Sequence, residues 1–330
     1  MSPGRARQPG GPSDHSGRGG GRPGGRPGSG HSGAGRPGSG RGSGGRPGTG
    51  RARGVTGREP SSRGVAPPRR RDTERAGLGG DQVEGRQAVR ELLAAGVRPV
   101  RVVYLAEGME PSPVLDDIEA LARRRKVRLE VVPRRRLDAL ARTDGPQGVV
   151  AQAVPVGEVP LDDLCGPTRR GRVPFLVVLD GVTDPTNLGA VLRSAECAGV
   201  TGVVLPRHRA VHLTPTVAKV AAGAIEHLPM AVVPGVPAAL RRLAALGVWT
   251  VGLDQGASRS IYELAVGDQS VALVLGSEGS GLAPLTRARC DELVAIPQHG
   301  ALASLNVATA GAIACFELAR VRAAGGRSPA

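Results

Sequence analysis

The chain has 330 residues and a formal charge of +15, yet residues 1–80 hold 16 arginines against Asp14, Glu59, Asp72 and Glu74, so that segment alone carries +12 and everything after it only +3. No run approaches the roughly 18 apolar residues of a membrane span, and the N-terminus lacks the apolar stretch of a secretory signal. The four cysteines, Cys165, Cys197, Cys290 and Cys315, sit in or beside apolar stretches without C-x-x-C spacing, which speaks against a disulfide framework or a zinc site. A reducing, cytoplasmic setting is expected, with no metal and no membrane partner.

Residues 21–50 repeat a unit close to Gly25-Arg26-Pro27-Gly28-Ser29-Gly30, seen again at 35–40 and, with Thr49, at 45–50. So few apolar side chains cannot offset the entropy of ordering, and a disordered basic tail is predicted. A cationic arm on a nearly neutral body predicts a polyanionic partner, nucleic acid foremost, because each neutralised phosphate releases a counterion. A merely solubilising tail is the alternative.

From Val83 the pattern predicts a helix at 86–95, a strand at 101–105, a helix at 114–125, a strand at 129–132, a helix at 135–142 and a strand at 148–153. Together they form a small α/β unit over 81–155. Pro160, Gly166, Pro167 and Gly171 punctuate 156–172, which reads as a linker. The second unit, 173–325, opens with the continuous apolar run 175–179, of the kind buried on both faces of a parallel sheet. Similar runs at 202–205, 230–233, 248–251, 271–275 and 293–296 alternate mostly with helical patterns. The fold class predicted is therefore α/β, with a parallel sheet covered by helices.

Three loops, each directly after one of these strands, hold the unusual residues, and ligands in open α/β sheets bind at the carboxyl ends of strands. The first is Asp180-Gly181-Val182-Thr183-Asp184-Pro185-Thr186-Asn187-Leu188-Gly189-Ala190-Val191-Leu192-Arg193-Ser194-Ala195. Asp184-Pro185 turns the chain there, and Asn187 suits the N-cap of a helix starting at Leu188. The second is Leu275-Gly276-Ser277-Glu278-Gly279-Ser280-Gly281-Leu282. Its glycines allow a close backbone approach, but the spacing matches neither the dinucleotide fingerprint nor a phosphate-binding P-loop, which disfavours a nicotinamide-dependent oxidoreductase. The third runs from Ile296-Pro297-Gln298 through Ser304-Leu305-Asn306-Val307 into an apolar helix reaching Arg320, with Ser304 or Asn306 as its cap. Taken singly, each loop is equally well read as a tight turn or a helix cap.

Together, in this order and spacing over about 175–322, the three loops resemble the SpoU (TrmH) family of SPOUT RNA 2'-O-ribose methyltransferases, and Lys219-Val220-Ala221-Ala222-Gly223-Ala224 looks like that family's connecting helix. The first unit, through Val83-Glu84-Gly85-Arg86-Gln87-Ala88-Val89 and Pro146-Gln147-Gly148-Val149-Val150-Ala151, resembles the small ribosomal-protein-like RNA-binding domain of the subgroup that modifies 23S rRNA guanosine.

The resemblance implies a deep trefoil knot, S-adenosyl-L-methionine as cofactor, RNA as substrate with a guanosine of the peptidyl-transferase region of 23S rRNA foremost, and a homodimer. It implies catalytic roles for Arg193, Asn187, Glu278, Ser304 and Asn306, with Arg193 contacting the 2'-hydroxyl or the adjacent phosphate and serving either its own pocket or that of the neighbouring chain. Arginine is a poor literal base, so its role is read as electrostatic. Cofactor contact would come from the backbone around Leu275, Gly276, Ile296, Gln298, Leu302 and Leu305. Gln298 stands where the subgroup usually has methionine, which leaves a backbone role there. His299 is read as incidental. The alternatives are a tRNA guanosine or resistance-conferring rRNA adenosine 2'-O-methyltransferase, or a non-catalytic ribosome-assembly factor. Intact Asn187, Arg193, Glu278, Ser304 and Asn306 weigh against the last.

Overall fold

The computed structural model describes residues 77–168, 171–208, 212–302 and 304–325. The tail expected over 1–80 lies outside these residues except for its last four positions, and those four belong to the fold. Leu78 is buried, its N–H donates to the Val156 carbonyl (2.9 Å), and Gly79 bridges Leu213. The boundary therefore lies earlier than composition suggested, because one leucine between glycines is too short a signal to read as core.

The first unit is a four-stranded sheet of order β1-β4-β2-β3, made of β1 (Gln82–Glu84), β2 (Val100–Ala106), β3 (Arg128–Val132) and β4 (Val149–Ala153). β2 and β3 run parallel, and β4 is antiparallel to both β1 and β2. Helix α1 (Arg86–Ala95) buries Ala88, Val89, Leu92 and Leu93 along one stripe and stops at Gly96, a left-handed cap (φ 58°) whose N–H donates to the Leu92 carbonyl. Helix α2 (Pro113–Arg125) begins on proline and ends on Arg123, Arg124 and Arg125, where cations complement the helix dipole. Helix α3 (Arg134–Leu140) buries only Leu137. Strand β1 had no apolar signature, since two of its three residues are polar. It holds because Glu84, fully buried, accepts hydrogen bonds from Gln82 Nε2 (2.7 Å), the Arg142 N–H (2.7 Å) and the Thr143 N–H (3.1 Å).

The segment read as a linker is packed. The Val159 N–H donates to the Met230 carbonyl (2.9 Å), a single 3-10 turn spans Leu161–Leu164, and Leu164 lies so close to Gly202 that a Cβ there would meet Leu164 Cδ2 at 2.7 Å.

The second unit is a six-stranded parallel sheet, as expected, of order β10-β8-β9-β5-β6-β7. Its strands are β5 (Phe175–Asp180), β6 (Gly202–Pro206), β7 (Met230–Val233), β8 (Trp249–Leu253), β9 (Val271–Gly276) and β10 (Glu292–Val294). The helices are α4 (Pro185–Cys197), α5 (Pro215–Val220), α6 (Val236–Ala245), α7 (Pro284–Arg287) and α8 (Val307–Gly325). Alternate residues of β5 serve opposite faces. Phe175, Val177 and Leu179 pack with Leu188, Val191, Ala314 and Leu318, while Leu176 and Val178 pack with Leu240 and Leu243. From β5 the chain winds outward to β7, then returns on the other side of β5 to form β8, β9 and β10. The reversal sets a topological switch point between β5 and β9, the position where open sheets bind ligands.

The first of these two clusters also takes in the first unit, including Val83, Leu92, Val103 and Val149, so the two sheets share one core. Arg98 and Glu226 form a buried bidentate ion pair across the seam, with contacts of 2.8 Å from Nε and 2.7 Å from Nη2. Arg98 Nη1 also donates to the carbonyls of Gly80 (2.7 Å) and Val154 (2.6 Å). These extra acceptors matter, because a buried ion pair offsets its desolvation only when its remaining donors are satisfied.

Candidate active site

Strand β5 delivers the first motif. Its last residue, Asp180, accepts from the Ala283 N–H (3.0 Å), tying the end of β5 to the end of the second motif loop. The cap of α4 is Asp184, not Asn187. Asp184 Oδ1 accepts from the Asn187 N–H (2.8 Å), and the helix starts at Pro185. The shift has a consequence, since Asn187 is the third helical residue and its side chain is free for other partners.

Strand β9, hydrogen-bonded to β5 along its length, delivers the second motif. Ser277 and Gly281 exchange backbone hydrogen bonds of 3.0 Å each, closing a tight loop with Gly279 (φ 80°) and Gly281 (φ 67°) left-handed. A Cβ on Gly276 would meet the Gly281 carbonyl carbon at 2.2 Å, so only glycine lets the loop fold back onto its own strand.

The third motif follows β10. Asn306 caps α8, its Oδ1 accepting from the N–H groups of Ala308 (2.9 Å) and Thr309 (3.2 Å). Its Nδ2 donates to Asn187 Oδ1 (2.9 Å) and to Glu278 Oε1 (2.6 Å). An asparagine amide has two donor hydrogens and an oxygen that accepts twice, and here all four are used. The backbone donors also settle the orientation of the amide, since only the oxygen can face them. One residue from each motif, Asn187, Glu278 and Asn306, is thereby joined in a single network.

A cavity of about 340 Å³ adjoins this network, floored by Leu275, Gly276, Ile296 and Val307 and rimmed by Ser277, Glu278, Gln298, Ser304 and Leu305. The volume lies at the lower end of small-molecule sites. Leu302 does not line it, but borders a neighbouring cavity on the far side of the Ile296–Gln298 segment, which Gln298 also lines. Sequence reasoning missed the contribution of Leu253, Asp254 and Gln255 at the end of β8. The available signal was positional, because these residues follow a buried strand just as the three motifs do. Asp254 is engaged, accepting from the Gly256 N–H (2.8 Å) and pairing with Arg287 (2.9 Å).

Arg193 is not brought to the network. Rotation of about 100° per residue puts it about 120° around α4 from Asn187 and about 9 Å further along. It is exposed, and makes no hydrogen bond or ion pair among the described residues. His299 is exposed and lines neither cavity. Burial pushes the thiols of Cys290 and Cys315 up to about 12, so both stay protonated, whereas Cys197 is exposed although it lies beside an apolar stretch. Among the described residues no three His, Cys, Asp or Glu side chains cluster to hold a metal, and no helix is long and apolar enough to cross a membrane.

Comparison with known proteins agrees with this layout. Residues 174–316 match the SpoU rRNA methylase family, and residues 82–158 match the family described as RNA 2'-O ribose methyltransferase substrate binding. The 23S rRNA (guanosine-2'-O-)-methyltransferase RlmB of Escherichia coli is 38% identical over 244 residues, covering 73% of this chain and 99% of the relative. The enzyme of the same name from Pseudomonas putida is 39% identical over 246 residues, covering 73% and 97%. Among solved structures, the SpoU methyltransferase AviRb of Streptomyces viridochromogenes in complex with the cofactor AdoMet superposes with a TM-score of 0.60 at 26% identity, covering 74% of this chain and 90% of that one. An AdoMet-bound rRNA methyltransferase from Sinorhizobium meliloti gives 0.60 and 26%, covering 72% and 86%.

Proposed function

The chain belongs to the SpoU rRNA methylase family, and on that footing we propose that it methylates the ribose 2'-oxygen of a guanosine in 23S rRNA, in the peptidyl-transferase region, with S-adenosyl-L-methionine as methyl donor. The observation that carries this reading is the meeting of Asn187, Glu278 and Asn306 beside the cavity at the carboxyl ends of β8 and β9. The names of the relatives supply the RNA and the base, and the match of 82–158 to a substrate-binding family supplies the reason for the first unit.

The cavity suits the cofactor by its donor set. Leu275, Ile296 and Val307 would offer apolar surface to a purine, and backbone groups of Leu275, Gly276, Ile296, Gln298 and Leu305 would hold its polar edge, whereas Leu302 borders the neighbouring cavity and takes no part. When bound, the cofactor supplies a methyl group on a positively charged sulfur. The ribose 2'-oxygen would accept that methyl group and give up its hydroxyl proton to solvent or a nearby acceptor. Alignment does much of this work, because a hydroxyl is a weak nucleophile that reacts only when held in line with the methyl. Asn306 fixes Asn187 and Glu278 for that purpose, and Ser304 stands on the rim to meet the ribose. Arg193 favours the developing alkoxide or binds the adjacent phosphate.

Arg193 does so in the site of a second copy. The reading rests on its separation from the network and its lack of any partner among the described residues, together with exposed apolar side chains at Leu302 (83% exposed), Leu305 and Phe316 (51%) that a second copy would cover. The protein works as a homodimer with the knotted chain path of its family, in the cytoplasm where ribosomal RNA is made. Incubating the purified protein with a 23S rRNA transcript and S-adenosyl-L-methionine, then mapping 2'-O-methyl groups, tests the reading. One methylated guanosine is expected. Methylation confined to tRNA, or to a base atom, would overturn it.

A further inference from the structure

The first unit holds a cavity of about 530 Å³ between Arg86, Gln87, Met109, Ser112, Arg134 and Gln147, and it shares no lining residue with either cavity at the motif loops. Its wall is built rather than incidental. Gln147 adopts a left-handed backbone (φ 55°), a conformation that costs a non-glycine residue energy unless its surroundings hold it there. The holding contacts come from Arg86. Its N–H donates to Gln147 Oε1 (3.0 Å) and its Nε to the Gln147 carbonyl (3.2 Å). Next in the chain, Gly148 (φ 76°) sits where a Cβ would meet Met109 Sδ at 2.3 Å, so the methionine is pressed against the same turn.

The lining has a definite chemistry. It contains two guanidinium groups and no carboxylate. Arg86 has no ion pair among the described residues, and Arg134 has only a loose one to Asp138 at 3.6 Å on an exposed helix face. Met109 and Val114 provide apolar surface, and Gln87, Ser112 and Gln147 provide donors and acceptors. Uncompensated cations beside a soft apolar surface and a polar edge match the three parts of a nucleotide: phosphate, base face and base edge. A base inside a duplex has its edge paired and its faces stacked, so only an unpaired nucleotide presents all three.

The cavity is also tied to the catalytic unit. Lys219 of α5 donates from Nζ to the Asp144 carbonyl on the turn that carries Gln147, and a Cβ on Gly85 would lie 3.3 Å from Gln147 Oε1 and 3.7 Å from Lys219 Cγ. Helix α5 in turn presses on α4, where a Cβ at Gly189 would meet Val220 Cβ at 2.7 Å. Helix α4 carries Asn187 and Arg193.

We propose that this cavity receives one unpaired nucleotide of the RNA substrate, its phosphate on Arg86 and Arg134 and its base against Met109, with the base edge read by Gln87, Ser112 and Gln147. The inference rests on the reading of RNA as substrate and adds where, away from the reacting ribose, the RNA is recognised. The test compares the full chain with Arg134→Glu and Gln87→Ala, two exposed positions, with unchanged melting temperatures certifying the fold. Binding to a 23S rRNA transcript and to a blunt RNA duplex is measured by filter retention at moderate salt without cofactor, so that no catalysis is needed. Each variant is expected to bind the transcript about tenfold more weakly, and the duplex as before. In the wild-type complex, a transcript carrying 4-thiouridine is expected to cross-link to the peptide containing Met109. Equal loss for transcript and duplex would reduce the cavity to a patch of non-specific charge and overturn the proposal, as would wild-type affinity in both variants. Cavity-dependent binding of the transcript without methyl transfer to it would uphold this inference and overturn the proposed reaction instead.

Discussion

The two sheets of this protein keep their polar residues in opposite ways. In the six-stranded unit, β5 and β9 are buried on both faces, and the chemistry is carried by loops at one edge, where Asn306, Asn187 and Glu278 meet. In the four-stranded unit, polar groups sit within the sheet itself, as with buried Glu84 and Gln82, and the cationic side chains line a cavity where helices begin. A parallel sheet covered on both sides can place function only at its ends. A smaller mixed sheet, with Val131 of β3 exposed, leaves open surface for a large ligand. One chain can thus separate holding a polymer from reacting with one of its atoms, provided the two units are rigidly joined.

The strongest challenge to that picture is to break the join. Arg98→Ala leaves the buried carboxylate of Glu226 without its partner and is expected to destabilise the chain by about 3–5 kcal/mol, read by denaturant unfolding. An unchanged midpoint would mean the two units are joined by apolar packing alone.

The next effect concerns the reacting end. Arg193→Ala is expected to lower methyl transfer by about two to three orders of magnitude while cofactor binding stays nearly intact. Mixing this variant with Asn187→Ala should restore part of the activity, because a mixed dimer would hold one site with both residues whole. No recovery on mixing would assign Arg193 to its own chain, and undiminished transfer by the single variant would remove it from the mechanism.

The smallest effect separates folding from chemistry at one atom. Asn306→Asp keeps the oxygen that caps α8 but removes the two donors and sets a carboxylate against Glu278. Stability should change by less than about 1 kcal/mol in thermal unfolding, while the rate of methyl transfer falls about tenfold. Parallel loss of both would mean Asn306 serves only as a cap.

The parts governed by local physics were legible in the chain before any fold was known. Continuous apolar runs such as 175–179 and 271–275 announced strands buried on both faces, and their alternation with helical patterns announced a parallel sheet. The motif loops were legible because they follow those strands, and their residue types together carried the family. How those residues are used depends on contacts between distant segments. Asp184 and Asn187 are both good capping residue types, and the local bond from the Asn187 N–H to Asp184 assigns the cap; what lies beyond local reach is that the freed Asn187 side chain accepts a hydrogen bond from Asn306, 119 residues away. Leu253, Asp254 and Gln255 line the cavity because β8 lies directly beside β9 in the sheet, which sets the loop after β8 against the second motif. Arg193 shows the converse. The family resemblance gave it a role and left open whether it serves its own pocket or that of the neighbouring chain; six residues of helix set it about 120° around from Asn187, but spacing along a chain says nothing about which elements pack against that face.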